Sequence, residues 1–577
     1  MNASLFKPRA FVRLLFRPAE GPLSLMWAIV VGVTGAFVTV AFRTGIDELQ
    51  RLFGGEPGNL IKMADSLPLP IRVALPALGG LLAGICIVAS RRVQSQRNVE
   101  YMEAASIGDG IVPVWQSLWR SLSSLFTISS GGSIGREGSM VQLAALAASV
   151  LGRWSHFDPT RLRLLVACGA AAGITSAYNA PIAGVFFVTE IVLGSMATEK
   201  LGPILVSSVA ANITMREFAN YRPTYEMPVF PPVAGGEVLL FVMLGLLSGV
   251  LAPHFLRFIA ASKKCFSALP APLPLRLALG GLIVGLISIR WPEVWGNGYE
   301  VVNSLLHHPW TWRALVSVLA FKIVATAATA GSGAIGGIFT PTLFVGAVLG
   351  CLFGLGVHAI WPDSTSAPFA YAMVGMGAFL AAATHAPLMA ILMIFELTLS
   401  YQVMLPLMLS CVIAYLVARA SERESMYEVT LRRSLEKKKR ERLAATRMRE
   451  LVKPADTVVP LTADVEDMTR MFLAYSVKYL YVVDEAECFV GVVSLKDITS
   501  DLLGHRDGVP RTAAHYLQLP VHVLTPDMSL ADALKHFLTF HGERLPVVES
   551  NSQRFLLGVV YKTSLLDAFH RMNPPSL

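Results

Sequence analysis

Gly169–Glu190 reads GAAAGITSAYNAPIAGVFFVTE, and Gly375–Glu396 reads GMGAFLAAATHAPLMAILMIFE. The two align without a gap at a constant offset of 206 positions, with the first Gly, three Ala, the Pro and the final Glu coinciding. In each, an Ala-Pro pair lies among small apolar residues, apolar residues face apolar ones elsewhere, and the segment ends on a Glu. Upstream, SGGSIGREGS (Ser130–Ser139) parallels SGAIGGIFTP (Ser332–Pro341) at an offset of 202. The apolar part of the chain is therefore two related halves.

Working outward, apolar stretches recur at about 23–42, 69–90, 139–152, 162–174, 182–198, 202–213, 236–257, 273–289, 314–330, 338–360, 368–383, 386–399 and 402–419. Several are shorter than the roughly 20 residues of a simple membrane span, and glycine or proline interrupts many. Broken helices are tolerated at membrane depth only where they line a cavity or are buried in protein. Duplicated halves meeting at a midplane site are a transporter plan. The pattern predicts a polytopic α-helical membrane protein with broken helices, a channel or transporter and not an anchor.

Composition agrees. Of 577 residues, 54% are hydrophobic and 15% charged, with a mean hydropathy of +0.55. Disorder is excluded, since it needs low hydrophobicity and high charge. The net charge of +8 reads as basic membrane-flanking segments. The densest basic run, Arg432–Arg442, has no aromatics interleaved to stack on bases, so no nucleic-acid partner is expected. The six cysteines form no CxxC or Cys/His cluster, and neither a metal nor disulfides are expected. Lys7, Arg9, Arg13 and Arg17 precede the first apolar run without a convincing cleavage site. A cytoplasmic N-terminus and a retained first span follow. HExxH, GxSxG and Walker A motifs are absent, and no enzyme is expected.

From about 445 onward the character changes, and a second repeat begins. YLYVVD (Tyr479–Asp484) and GVVSLKD (Gly491–Asp497) are echoed by RLPVVE (Arg544–Glu549) and GVVYKTS (Gly558–Ser564). The Val-rich runs predict short buried strands. The segments 465–475 and 530–540 predict helices, with Thr462 and Ser529 as their caps. The expected organisation is a cytoplasmic N-terminus (1–22), a membrane domain (23–430), a basic linker (431–447) and two αβ units (448–505 and 512–573).

The chemistry concentrates at GREGS (Gly135–Ser139). It opens a helix, and a helix N-terminus presents unpaired N–H groups and the positive end of a dipole. That is an anion site. Glu137 at its centre can occupy the site when ionised and leave it when protonated.

GREGS, GGIFTP (Gly336–Pro341), NAPIAGVFF (179–187), APLMAILMIFE (386–396) and Tyr427 in ESMYEV together resemble the CLC chloride channel/transporter family over about 20–430. YMEA (Tyr101–Ala104) and WGNGY (Trp295–Tyr299) are most similar to its ClcB-type bacterial branch. The tail resembles a pair of CBS domains. The resemblance implies two inverted halves and a homodimer with one chloride pathway per subunit. It implies a multi-pass protein of the bacterial inner membrane whose CBS tail is cytoplasmic. It makes Glu137 the external gate, and Gly135, Arg136, Gly138, Ile338, Phe339 and Tyr427 the anion-binding set. Ile338 and Phe339 would act through backbone N–H groups and Tyr427 through its hydroxyl. A phenol is neutral at pH 7 and donates one hydrogen bond without trapping the ion. In the CBS pair, Ser494 and Asp497 match positions that contact an adenine nucleotide, and the second copy lacks the Asp; dimerisation alone is the other reading. No cofactor is required.

The chain departs from the family pattern in three places. The first anion motif, GSGIP, is not recognisable. GDGIVP (Gly108–Pro113) lies too close to GREGS, and the motif's place is near Gln96. GREGS ends in Ser139 where the family has proline. The internal proton glutamate of family exchangers, which follows the position of Glu190, is here Ile191. Glu190 and Glu396 are able to carry protons, but their matched positions point to carboxylates held by backbone partners. A lone His385 in THAP reads as a capping or packing group. Three readings follow: a passive chloride channel, a proton-coupled chloride exchanger, and a nucleotide-sensing membrane protein with little transport.

Overall fold

The computed structural model describes residues 20–54, 58–93, 100–194, 198–218, 225–231, 235–422, 425–427, 443–503, 511–518, 522–540, 542–550, 552 and 554–572. Most of the expected 1–22 segment, Gln96 and the basic run Arg432–Arg442 lie outside them. The chain divides into two compact units, Met1–Leu431 and Arg432–Leu577.

The first unit is helical. Among the described residues, six helices are long and apolar enough to cross a membrane: Ser24–Leu52, Leu69–Arg91, Gly235–Ala268, Trp312–Ser332, Phe339–Ile360 and Tyr401–Ser421. Shorter apolar helices include Pro181–Val192, Leu273–Ser288, Pro368–Thr384 and Pro387–Thr398. The breaks fall at matched positions of the two copies. The Pro159–Tyr178 helix ends at Asn179 with φ 59°, and the Pro368–Thr384 helix at His385 with φ 56°, both left-handed. Asn tolerates that geometry well, and Ala-Pro then restarts a helix with proline in its first turn, where no N–H is missed. His385 is thus a cap, and its ring also packs edge-on against Tyr415.

The two halves meet reciprocally. Gly135 N–H donates to Gly337 O at 2.7 Å, and Gly337 N–H donates to Gly135 O at 2.9 Å. Glu396 accepts from the N–H groups of Ile182 and Ala183, both at 2.8 Å. Glu190 accepts from those of Leu388 and Met389, at 3.3 and 2.7 Å. Each terminal carboxylate thus caps the proline helix of the other half, as two-fold-related copies do. Both glutamates are half-buried. The helices Glu137–Trp154 and Phe339–Ile360 approach the glycine bridge N-terminus to N-terminus, the relation of inverted halves.

The second unit carries the soluble repeat. Val458–Pro460 pairs parallel with Tyr479–Val483, which pairs antiparallel with Phe489–Ser494. In the second copy Arg544–Val548 pairs antiparallel with Leu556–Tyr561, and Leu524 bridges Val547 in place of a third strand. The helices are Val465–Ala474 and Leu530–Thr539. Ser529 caps the second, accepting from Asp532 N–H, as expected. Thr462 does not cap the first. Asp464 does, accepting from Asp467 N–H, because the chain turns through 461–463 before the helix starts. Bonds from Lys535 and Ser529 hold the Asp532 carboxyl below the ordinary carboxylate range.

Candidate anion site

Two helices begin at one place with no side-chain cap. The N-terminal residues Arg136 and Ile338 give no side-chain cap to Glu137–Trp154 or Phe339–Ile360. Elsewhere, helix starts at Asn59, Asp158 and Thr311 are capped by side-chain oxygens. The first N–H groups of a helix have no partner inside it, so these two ends point unpaired donors and two positive dipole ends at one region. A cavity of about 550 Å³ opens there, lined by Glu137, Gly138, Ser139, Ile338, Phe339 and Tyr427, with Arg91, Arg120 and Lys263 also on its wall.

Glu137 is 2% exposed. Its Oε1 accepts from the Tyr299 hydroxyl at 2.7 Å and from the Thr340 hydroxyl. Tyr178 shares a bond with Thr340 at 2.8 Å, extending the hydroxyl cluster. Oε2 has no partner among the described residues. It lies over the glycine bridge: a Cβ on Gly135 would overlap it, and one on Gly337 would be 3.4 Å away. Only glycine leaves that space. The carboxylate therefore occupies the meeting point of the two halves, on the cavity wall.

Tyr427 lies in a turn pinned by Met426 N–H donating to Ala383 O at 3.2 Å, and its ring packs edge-on against Phe187 at 6.0 Å. Of the residues picked out from sequence, Glu137, Gly138, Ile338, Phe339 and Tyr427 come together on the cavity. Gly135 and Arg136 do not. The N–H of Gly135 is committed to Gly337 O, and the Arg136 guanidinium lies 5.2 Å over the Tyr299 ring. In the other unit, Ser494 Oγ accepts from Lys496 N–H and Asp497 accepts from Gln518 Nε2 at 2.5 Å, at the start of the Leu495–Leu503 helix.

Sequence reasoning passed over Tyr299, Thr340, Tyr178 and Lys322. Lys322 is fully buried in the Trp312–Ser332 helix. Its Nζ donates to the carbonyls of Val294, Trp295 and Gly296 at 3.0, 3.4 and 2.8 Å. This clamps the loop that delivers Tyr299 to Glu137. Gly298 turns that loop at φ 94°, against the Phe344 ring where a Cβ would not fit. A lone lysine within 314–330 was the available signal, since a charge inside an apolar span demands an explanation.

Residues 79–419 match the family model described as voltage gated chloride channel, and residues 448–504 and 513–571 match the CBS domain. A putative chloride channel protein ClcB-like of Ralstonia nicotianae is 53% identical over 410 residues, covering 70% of this chain and 96% of that protein. The voltage-gated ClC-type chloride channel ClcB of Escherichia coli (strain K12 / DH10B) is 40% identical over 410 residues, covering 70% and 97%. Among solved structures, a slow cyanobacterial Cl−/H+ antiporter superposes with a TM-score of 0.61 at 25% identity, covering 72% of this chain and 98% of that one. A eukaryotic CLC transporter shares the fold over 94% of this chain and 97% of its own, with a TM-score of 0.59 at 18% identity. With the inverted halves, the paired helix ends and these matches in hand, the chain belongs to the voltage-gated chloride channel (CLC) family and carries a pair of CBS domains.

Proposed function

We propose that this protein moves small monovalent anions, chloride foremost, across a bacterial inner membrane, with Glu137 as the gate. The observation that carries the proposal is the Glu137 carboxylate lodged where two uncapped helix N-termini meet a shared cavity. An ionised carboxylate there fills the place of the anion. A proton on it removes the competition. Gly138, Ile338, Phe339 and Tyr427 are the anion's donors in this reading. Arg91 and Lys263 raise the local anion concentration at the cavity wall.

Two transport modes each have support. Ile191 in place of a second proton carrier favours passive conduction, and so do the names of the ClcB relatives. The likeness to the cyanobacterial Cl−/H+ antiporter favours proton-coupled exchange. Paired chloride and proton flux on purified protein in liposomes decides. Passive conduction gives a reversal potential at the chloride equilibrium, insensitive to a pH gradient. Uphill proton movement driven by chloride overturns it and establishes exchange. No flux of either kind overturns the transport reading.

The proposal extends to a homodimer, a cytoplasmic N-terminus and tail, and an adenine nucleotide at Ser494 and Asp497 of the CBS pair. Their place at the strand-to-helix corner of the first copy supports the last of these.

A further inference from the structure

The cavity wall holds two buried hydroxyls without a hydrogen-bond partner among the described residues. Ser121 and Ser139 are 5% and 3% exposed. Neither Oγ has a hydrogen-bond partner among the described residues, and both residues line the cavity with Glu137 and Tyr427. We propose that Ser121 and Ser139 are the hydroxyl ligands of the transported anion, taking over the role of the missing motif. This inference rests on the anion-transport reading.

The local geometry brings them together. The helices Val114–Ser129 and Glu137–Trp154 form a hairpin, locked where Gln142 Nε2 donates to Ser117 Oγ at 2.9 Å. One turn onward from Ser117 is Ser121, and one turn back from Gln142 is Ser139. The two serines are therefore level with each other across the hairpin. Gln142 Oε1 also accepts from Tyr101 N–H at 3.0 Å, which fixes the hairpin against the next helix, Tyr101–Ser106.

A buried hydroxyl left without a partner is unfavourable. Two such groups on one cavity wall are explained if a ligand satisfies them. Neutral hydroxyls suit an ion that must leave again, because they donate a hydrogen bond without adding a fixed positive charge. Ser139 replaces a proline, which has no hydroxyl and no N–H, so the change adds donors at the third residue of the helix. The Arg120–Glu100 ion pair, at 2.7 Å beside Ser121, leaves the hydroxyls as the neutral donors on this wall.

Chloride binding by isothermal titration, chloride-dependent thermal stabilisation and the chloride-to-nitrate flux ratio are measured on the full chain. The variants are Ser121→Ala, Ser139→Ala, their double and Ser139→Thr. Ser248→Ala is the control, a fully buried hydroxyl without a partner among the described residues that is not on the cavity wall. Each cavity alanine is expected to weaken chloride binding about tenfold, the worth of a hydrogen bond to a charged group. Ser139→Thr is expected to restore binding, and Ser248→Ala to leave it unchanged. In chloride-free buffer the alanine variants unfold no earlier than wild type, since they remove no bond within the protein, and only the chloride-induced rise in Tm shrinks. A double variant with wild-type affinity and flux ratio overturns the inference while leaving anion transport standing. A wild type that neither binds nor moves chloride overturns both.

Discussion

Three glutamates of the repeated segments, Glu137, Glu190 and Glu396, sit against helix N-termini and are held in two ways. At the outer ends of the repeat, Glu190 and Glu396 each have both oxygens filled by peptide N–H groups of the opposite half. At the centre, Glu137 has one oxygen held by two hydroxyls and the other without a partner among the described residues. The donors explain the difference. A peptide N–H is fixed in direction and must have an acceptor. Removing the Glu190 or Glu396 carboxylate would expose two such donors at once. A hydroxyl rotates and both donates and accepts, so Tyr299 and Thr340 can also host a protonated Glu137. The same residue type at the same kind of helix end is a brace in one place and a movable group in the other.

The largest test breaks that comparison at its centre. A gate opened by a proton makes flux depend on pH. Glu137→Gln keeps the shape and removes the charge. Chloride efflux from liposomes between pH 4.5 and 7.5 is expected to vary strongly for wild type and to be nearly flat for the variant. An unaltered pH profile would remove Glu137 from the gate.

A smaller effect tests the braces. In Glu190→Gln or Glu396→Gln one carboxylate oxygen becomes an NH₂ facing a peptide N–H. Each should lose about 1 kcal/mol of stability, the lower end of the penalty for an unsatisfied donor because these carboxylates are half-buried. A lower unfolding temperature in detergent with an unchanged flux–pH profile is expected. A flattened profile with normal stability would instead make that glutamate part of the proton chemistry.

Much of this was legible because duplication is visible one residue at a time. The offset of 206 matches Glu190 with Glu396, and the helix ends at Asn179 and His385 are the same 206 positions apart. The offset of 202 likewise paired the two bridging glycines. What was not legible depends on contacts between distant segments. Tyr299 reaches Glu137 from 162 positions away, and Thr340 from 203. Nothing in WGNGY or GGIFTP says which hydroxyl turns inward. Arg136 carries the charge expected of an anion ligand, but its position just ahead of the helix sends it over the Tyr299 ring. Asp464 in place of Thr462 is a smaller case of the same kind. Both residues suit a cap, and the three-residue turn decides between them.

The smallest expected effect comes from Tyr427, because its role is shared. Tyr427→Phe keeps the edge-on packing against Phe187 and removes only the hydroxyl. An anion in the cavity still meets the uncapped N–H groups at Ile338 and Phe339 and the hydroxyls of Ser121 and Ser139. Ligands that surround one ion compensate for each other, so their deletions are not additive. The chloride-to-nitrate flux ratio should therefore change only about two- to threefold, less than the worth of an isolated hydrogen bond to an ion, with the pH profile intact. A tenfold change would make Tyr427 the dominant donor and demote the serines. No change at all would take it out of the site. Either outcome would sharpen the contrast with Glu137, whose unpartnered oxygen leaves its place in the pathway to a single group.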